Sequence, residues 1–303
     1  MLTNISDLQK IVEQDPTKKR LVLCAAADEH SLYAVYRAYK AGYIEPILVG
    51  DEQKIRKLAE EKWYDLTGVQ IIHETDPKKM VQRSVSLIRE GNGEILMKGH
   101  ISTAQILSGV LNKEWGLRDK KTISHFALFE IPAYHKLLAL TDVAMNIAPD
   151  LSTKIDILNN AVSFMHKIGV EEPNVAVLAA VEMVNEKMPA TTDAALLSIM
   201  QRRGQIKNCK IDGPLAFDNA ISLESKSHKG ITGDVAGNAD LLLCPDIEAG
   251  NVLYKAFVFF AHAKVASIIL GAKAPIVLTS RSDSEETKLN SILLSAASYS
   301  FQK

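Results

Sequence analysis

Four short stretches of the 303-residue sequence combine residue types in spacings that suit an anionic substrate. Thr279-Ser280-Arg281-Ser282-Asp283-Ser284 follows the apolar run Ile276 to Leu278. An arginine just past a strand, flanked by hydroxyls and opening a helix, is a natural phosphate clamp. Its guanidinium is planar and permanently charged, and it can hold a phosphate through two hydrogen bonds. The bland alternative is a solvated loop with Asp283 as a helix cap. Lys98-Gly99-His100-Ile101-Ser102-Thr103 also lies between a strand and a helix. Ser102 or Thr103 can cap that helix, whose first N–H groups and partial positive charge make an anion site. Its plain alternative is an ordinary strand-to-helix turn.

Asp212-Gly213-Pro214-Leu215-Ala216-Phe217-Asp218 reads as a strand end, a tight turn at Gly213-Pro214 and a helix start, with exposed backbone beside Asp212. It can equally be a turn and nothing more. Cys244-Pro245-Asp246-Ile247-Glu248-Ala249-Gly250-Asn251 follows the apolar Leu241 to Leu243. Strand, then Pro-Asp, then Gly-Asn before a helix places Asp246, Gly250 and Asn251 at a cleft edge, unless Asp246 or Asn251 merely caps the helix. Gly230, Gly233 and Gly237 have the wrong spacing for a dinucleotide-binding loop.

These stretches need a scaffold, and the chain supplies an alternating one. Strands are expected at Arg20–Ala26, Pro46–Val49, Val69–Ile72, Glu94–Met97 and Ser124–Phe129, and helices at Ser31–Ala41, Asp51–Trp63, Pro77–Arg89 and Thr103–Leu111. Such a rhythm predicts a mostly parallel sheet covered by helices. A second unit follows, with strands at Val143–Ile147, Val175–Leu178, Ala239–Cys244, Val265–Leu270 and Ile276–Leu278 and a helix at Ser152–Gly169. The last helix, Asp283–Ser300, is placed back on the first unit. The expected architecture is therefore α/β with two α/β domains, 1–138 plus 279–303 and 139–278. Ligands in such folds bind at strand carboxyl ends, here in an interdomain cleft.

Bulk composition narrows the function. Hydrophobic residues are 47% and charged residues 23%, as in a folded globular protein. The formal charge of -1 gives no basic excess for nucleic acid or an anionic membrane, so an anion needs a local cluster. Lys255, Lys264 and Lys273 interrupt the longest apolar stretch, and no signal segment opens the chain. Cys24, Cys209 and Cys244 are far apart and form no CxxC pair, which predicts neither a disulfide framework nor a zinc site and fits a cytoplasmic protein. Cys24 and Cys244 sit in apolar strands and read as core. The histidines form no HxxxH or HExxH array, so no metal site is expected.

Taken together, the segments resemble the phosphate acetyl/butyryltransferase family. Its Asp-Gly-Pro-Leu-x-Phe-Asp stretch is matched at Asp212 to Asp218, its Pro-Asp-x-x-x-Gly-Asn-x-x-Tyr-Lys stretch at Pro245 to Lys255, and its Ser-Arg pair at Ser280 and Arg281. Order and spacing agree across all three. Lys98-Gly99-His100, where acetyltransferases carry Ser-Gly-Ala, makes the chain look closer to the butyryltransferases. One position departs from the pattern. The carboxylate assigned as base in acetyltransferases, six residues after the arginine, is Thr287 here.

The resemblance implies an isocitrate/isopropylmalate dehydrogenase-like fold, a homodimer or higher homo-oligomer, and a reaction of acyl-CoA with inorganic phosphate to give acyl phosphate and CoA. It implies direct transfer in a ternary complex, with no cofactor beyond CoA as substrate and no metal. Catalysis is assigned to Ser280, Arg281 and Asp283, the last a carboxylate two residues from the arginine and the candidate base. Lys98, Gly99, His100, Ser102, Thr103, Arg118, Asp212, Gly213, Asp246, Gly250 and Asn251 are assigned to phosphate or CoA. Phosphate acetyltransferase is the alternative activity. A metal- and NAD(P)-dependent decarboxylating dehydrogenase of the same fold is disfavoured, because no two Asp residues lie four apart. A non-catalytic CoA-binding protein is the third reading, motivated by Thr287.

Overall fold

The computed structural model describes residues 2–120, 122–279 and 283–300. The chain divides into a terminal unit, Ser6–Lys121 with Ala266–Lys303, and a middle unit, Met1–Ile5 with Thr122–Val265.

The terminal unit opens with α1 (Asp7–Gln14), then alternates β1 (Lys19–Cys24), α2 (Glu29–Lys40), β2 (Ile44–Gly50), α3 (Glu52–Glu61), β3 (Gln70–His73), α4 (Pro77–Arg89), β4 (Ile95–Lys98) and α5 (Thr103–Val110). Asp28, Asp51, Asp76 and Ser102 cap α2, α3, α4 and α5. Each satisfies an N–H that the first helical turn leaves without a partner. Pro77 at the first turn of α4 fixes a backbone angle already helical.

The middle unit runs β5 (Ser124–Glu130), β6 (Leu138–Thr141), α6 (Leu151–Lys167), β7 (Asn174–Leu178), α7 (Pro189–Arg202), β8 (Lys210–Leu215), α8 (Phe217–Ile221), α9 (Leu223–His228), β9 (Leu241–Leu243) and α10 (Ile247–Phe259). The chain then forms β10 (Lys264–Leu270), β11 (Ile276–Val277) and α11 (Glu285–Ser300).

Strand order in the terminal unit is β3-β2-β1-β4-β11-β10, parallel except for the antiparallel β10–β11 pair. In the middle unit it is β5-β6-β9-β7-β8, parallel except for β5–β6. These pairings move both expected domain boundaries. β5 pairs with β6 through Ala127 and Leu140, so the chain before residue 138 already belongs with the middle strands. β11 pairs with β4 through Ile276 and Leu96, which draws it into the terminal unit.

The last helix, α11, is buried nearly all round against α1, α2 and β11. Its buried serines satisfy themselves within the helix. The Ser291 hydroxyl donates to Thr287 O and the Ser295 hydroxyl to Ser291 O, each at 2.8 Å. The middle core gathers Phe129, Leu138, Leu140, Leu178, Leu242 and Phe257.

Three local expectations are corrected. Val143–Ile147 is not a strand; the strand is β6, ending at Thr141. Asp142 explains the difference, because its carboxylate accepts from the N–H groups of Ala144, Met145 and Asn146 and folds the chain into a loop. Gly213-Pro214 is not a turn but lies inside β8. β8 is the edge strand, where a missing proline N–H need not break the ladder, and its register against β7 shifts there. Gly250-Asn251 does not precede a helix; both lie inside α10, which starts directly after Asp246.

Candidate active site

β1 leads through α2 to β2 on one side of the terminal sheet, whereas β4 lies on the other side and leads into α5. This reversal opens a crevice at the strand carboxyl ends, the usual ligand position in such sheets. A pocket of about 300 Å³ occupies it. Asp28, His30 and Ser31 enter from the β1 side and Lys98, Gly99 and His100 from the β4 side; Thr279 and Lys288 close it from β11 and α11.

The β4 segment is fixed by continued pairing with β1. Gly99 N–H donates to Cys24 O at 2.8 Å and His100 N–H to Ala25 O at 2.9 Å. Only glycine fits at 99, since a Cβ there would lie 2.3 Å from the Ala25 carbonyl oxygen. Lys98 is 8% exposed, and its ammonium donates to Gly99 O and Ile101 O, both at 3.3 Å. Burial works against the charge on Asp28. The Ser31 hydroxyl and N–H outweigh it, with His100 and His30 nearby, and hold the carboxyl below the usual range. His100 Nδ1 lies 3.9 Å from Asp28 Oδ1.

Ser102 does what its type suggests. Its hydroxyl accepts from Gln105 N–H, and the Gln105 side chain accepts from Ser102 N–H, closing a capping box at the start of α5. Thr103 follows it, exposed, as the first residue of α5. Neither lines the pocket, so their contribution there is the helix end itself.

Ser280 and Arg281 lie outside the described residues. Asp283 stands just after them. The capping expectation for Asp283 is corrected: the Ser284 hydroxyl accepts from Thr287 N–H at 3.1 Å, so Ser284 caps α11. Thr287 itself is buried, its hydroxyl 3.0 Å from that of Ser284. Sequence reasoning missed Asp28, His30, Ser31 and Lys288. Asp28 followed by an apolar helix was a readable cap signal.

Arg118 does not join this pocket. It bridges to Ala272, just before β11, at the amino-terminal side of the parallel strands, while the pocket lies at their carboxyl ends.

The remaining expected ligands fall in the middle unit, at two places. Asp212 and Gly213 line an open pocket of about 470 Å³ along β8, with Arg202, Lys210 and Lys229 around it. Gly213 is also needed for packing, because a Cβ would lie 2.9 Å from Val177 Cβ. Lys210 and Lys229 are already paired there, with Asp234 at 3.3 Å and Glu182 at 3.2 Å. Asp246, Gly250 and Asn251 instead anchor α10. Asp246 accepts from Ala249 N–H, and Asn251 Nδ2 donates to Val143 O at 3.2 Å. A Cβ on Gly250 would lie 2.6 Å from Asp142 O. This trio holds α10 against the loop that follows β6.

The cysteines are free and buried. Burial pushes the Cys24 and Cys209 thiols up to about 11 and Cys244 higher still, which suits inert core and not a nucleophile. His125 is buried on β5 with Nδ1 unpartnered; burial lowers it to about 4, although Asp142 opposes the shift. Among the described residues, no three His, Cys, Asp or Glu side chains gather closely enough to hold a metal ion. No helix among them is long and apolar enough to cross a membrane.

The sequence matches the family described as Phosphate acetyl/butaryl transferase over residues 77–296. It is 50% identical over 278 residues to a phosphate butyryltransferase of Clostridium acetobutylicum, covering 92% of each chain. It is 46% identical to a phosphate acetyltransferase of Thermotoga maritima, covering 95% of this chain and 98% of that one. Among solved structures, a branched-chain phosphotransacylase from Enterococcus faecalis V583 matches with a TM-score of 0.83 at 35% identity, over 92% of this chain and 98% of that one.

Proposed function

The chain belongs to the phosphate acetyl/butyryltransferase family, and from that premise we propose that it exchanges a short-chain acyl group, butyryl or a close relative, between CoA and inorganic phosphate. The observation that carries this reading is the pocket at the β1–β4 crevice. It brings Lys98, Gly99 and His100 together with Thr279, the residue directly before Ser280 and Arg281. Buried cationic groups, and the start of α5 beyond them, suit a phosphate or the phosphoryl end of an acyl phosphate.

In the direction that consumes acyl phosphate, the CoA thiol attacks the acyl carbonyl, a tetrahedral oxyanion forms, and phosphate leaves. A thiol of pKa about 8.5 is a few per cent ionised at neutral pH, so a modest base suffices. Asp283 is that base in this reading, and Arg281 stabilises the oxyanion or the departing phosphate. Ser280 positions the reacting group. Ser102 and Thr103 act through the helix end, and Asp212, Gly213, Asp246, Gly250 and Asn251 serve CoA. Arg118 has no part at the pocket. Transfer is direct, both substrates being held at once, which supplies the advantage of proximity. The same reading carries an isocitrate/isopropylmalate dehydrogenase-like fold, a homo-oligomer, a cytoplasmic location, and no cofactor or metal.

The test is release of CoA thiol from butyryl-CoA by the full chain with and without inorganic phosphate. Phosphate-dependent release is expected. Equal release without phosphate indicates a thioesterase and overturns the proposal. The name of the Thermotoga maritima relative supports the acetyl alternative. Running acetyl-CoA in parallel decides between them, since one methylene in a pocket changes discrimination by roughly 1–3 kcal/mol.

A further inference from the structure

A dianionic acyl phosphate places a demand on any site that cleaves it. When the carbon–oxygen bond breaks, the electron pair stays on the phosphate oxygen. Without a proton the product is the strongly basic phosphate trianion. A positioned acid avoids that product, an effect of about a hundred- to ten-thousandfold in rate.

Five titratable side chains line the pocket at the β1–β4 crevice: Asp28, His30, Lys98, His100 and Lys288. Asp28 caps α2, accepting from Ser31 N–H at 2.9 Å, and its carboxyl is held below the usual range, so it has no proton to give near neutral pH. An ammonium ordinarily holds its proton about four pH units more tightly than an imidazole does. Burial lowers Lys288, but Asp283, Asp28 and Glu285 oppose that shift, and its ammonium donates to Asp283 O. The Lys98 ammonium donates to Gly99 O and Ile101 O. The imidazoles remain, and imidazole is the side chain that ordinarily gains and loses a proton near neutral pH.

His100 is the better placed of the two. Its backbone is pinned at the strand end, where its N–H donates to Ala25 O at 2.9 Å. Its Nδ1 lies 3.9 Å from Oδ1 of Asp28, a carboxylate that the cap holds still and whose side chain is 25% exposed. His30 instead faces Glu285 at 3.6 Å, a carboxylate whose side chain is 45% exposed. Contacts between a catalytic imidazole and its carboxylate are commonly long before substrate binds. Nε2 of His100 has no hydrogen-bond partner among the described residues, and the side chain is 70% exposed, which lets the ring exchange protons with water.

We propose that His100 donates the proton to the departing phosphate, with its ring oriented by Asp28. This rests on the reading that the phosphoryl end of acyl phosphate enters this pocket, and it deepens that reading. The thiol proton has already gone to the separate base. The thiolate sulfur bonds to the acyl carbon, the bond from that carbon to the phosphate oxygen breaks, and the His100 imidazolium gives that oxygen its proton. The products are the thioester, the hydrogen phosphate dianion and a neutral imidazole, which regains a proton from water. In the opposite direction neutral His100 takes the proton of the attacking phosphate.

The test compares two acyl donors, butyryl phosphate and butyryl methyl phosphate, with CoA as acceptor, in the full chain and in its His100→Gln and His100→Ala variants. Methyl phosphate leaves as a monoester dianion, whose proton has a pKa of about 6, so its departure needs no acid. With butyryl phosphate, kcat is expected to fall about a hundredfold while KM moves less than about threefold. With butyryl methyl phosphate, kcat should fall less than about threefold. Added imidazole should restore turnover of butyryl phosphate by His100→Ala. That arm decides the matter if the parent does not accept the methyl ester, and a loss that imidazole fails to restore then overturns the proposal. So do equal losses on both donors, a near-parental kcat on butyryl phosphate, or a donor-dependent loss in His30→Gln and not in His100→Gln. Each of these leaves the acyl-transfer reading intact. A parent that moves butyryl to CoA from neither donor overturns that reading and this proposal with it.

Discussion

Replacing Gly99 by alanine tests whether the pocket depends on close approach of two strand ends. The added Cβ would lie 2.3 Å from Ala25 O and 2.9 Å from Cys24 O, both backbone atoms that no rotamer change can move. Reaching even the 3.0 Å floor of real Cβ contacts needs a recession of about 0.7 Å. Such a shift along the Gly99 N–H bond takes it from 2.8 Å to about 3.5 Å, the limit of a hydrogen bond. Overpacking of this kind costs about 1–3 kcal/mol, which lowers the melting temperature by a few degrees in a chain of this size. The effect on rate is larger, because Lys98 and His100 flank the displaced residue. Misplacing a binding group by about 1 Å can cost on the order of a hundredfold. The assay is thermal melting beside phosphate-dependent thiol release, with kcat/KM expressed per folded protein. A Gly99→Ala protein with parental melting and parental kcat/KM would falsify the claim that this approach shapes the site.

Lys154 and Asp193 form a 2.6 Å pair between α6 and α7 with side chains 6% and 19% exposed. Lys154→Met should cost about 2–3 kcal/mol in urea unfolding by leaving Asp193 unpaired, and adding Asp193→Leu should recover most of it. His125 keeps its neutral form in the fold because burial brings it to about 4, below the roughly 6.5 of free histidine. Its contribution is therefore complete above about pH 6.5 and is lost as pH falls from there through about 4. His125→Phe should flatten stability against pH in that window, and an unchanged slope would remove His125 as its source. If Asp283 is the base, Asp283→Asn lowers kcat by more than about tenfold, in excess of any loss of stability. Ser284→Ala does the reverse, costing about 1 kcal/mol through the lost cap while kcat stays near parental.

Elements whose sequence signal is local were legible. α4 was expected at Pro77–Arg89 and is found there, because an aspartate cap, a proline at the first turn and an amphipathic face all act within the segment. The middle unit is less legible, because residue composition there points to the wrong local structure. Val143–Ile147 has strand composition, but Asp142 turns the backbone away by binding the next three N–H groups. Gly213-Pro214 has turn composition, and its place on a sheet edge lets it remain in β8. α7 carries no clear sequence signal, since its apolar residues are split between buried Ala194 and Leu197 and exposed Leu196 and Ile199, which blurs the helical period.

The pocket shows the same divide between motif and neighbourhood. Lys98, Gly99 and His100 could be found because a strand-to-helix turn announces itself within six residues. Lys288 could not, since α11 is buried on nearly every face and its periodicity singles out no side. Asp28 and Lys288 are brought to one pocket by strand order alone: β11 pairs with β4, β4 with β1, and α2 and α11 start at the same carboxyl edge. Arg118 makes the converse case. It is as basic as any residue near the turn that it follows, but α5 carries the chain back to the opposite edge before it is reached. Charge and spacing nominate residues, and the direction of the strand decides which of them can meet one anion.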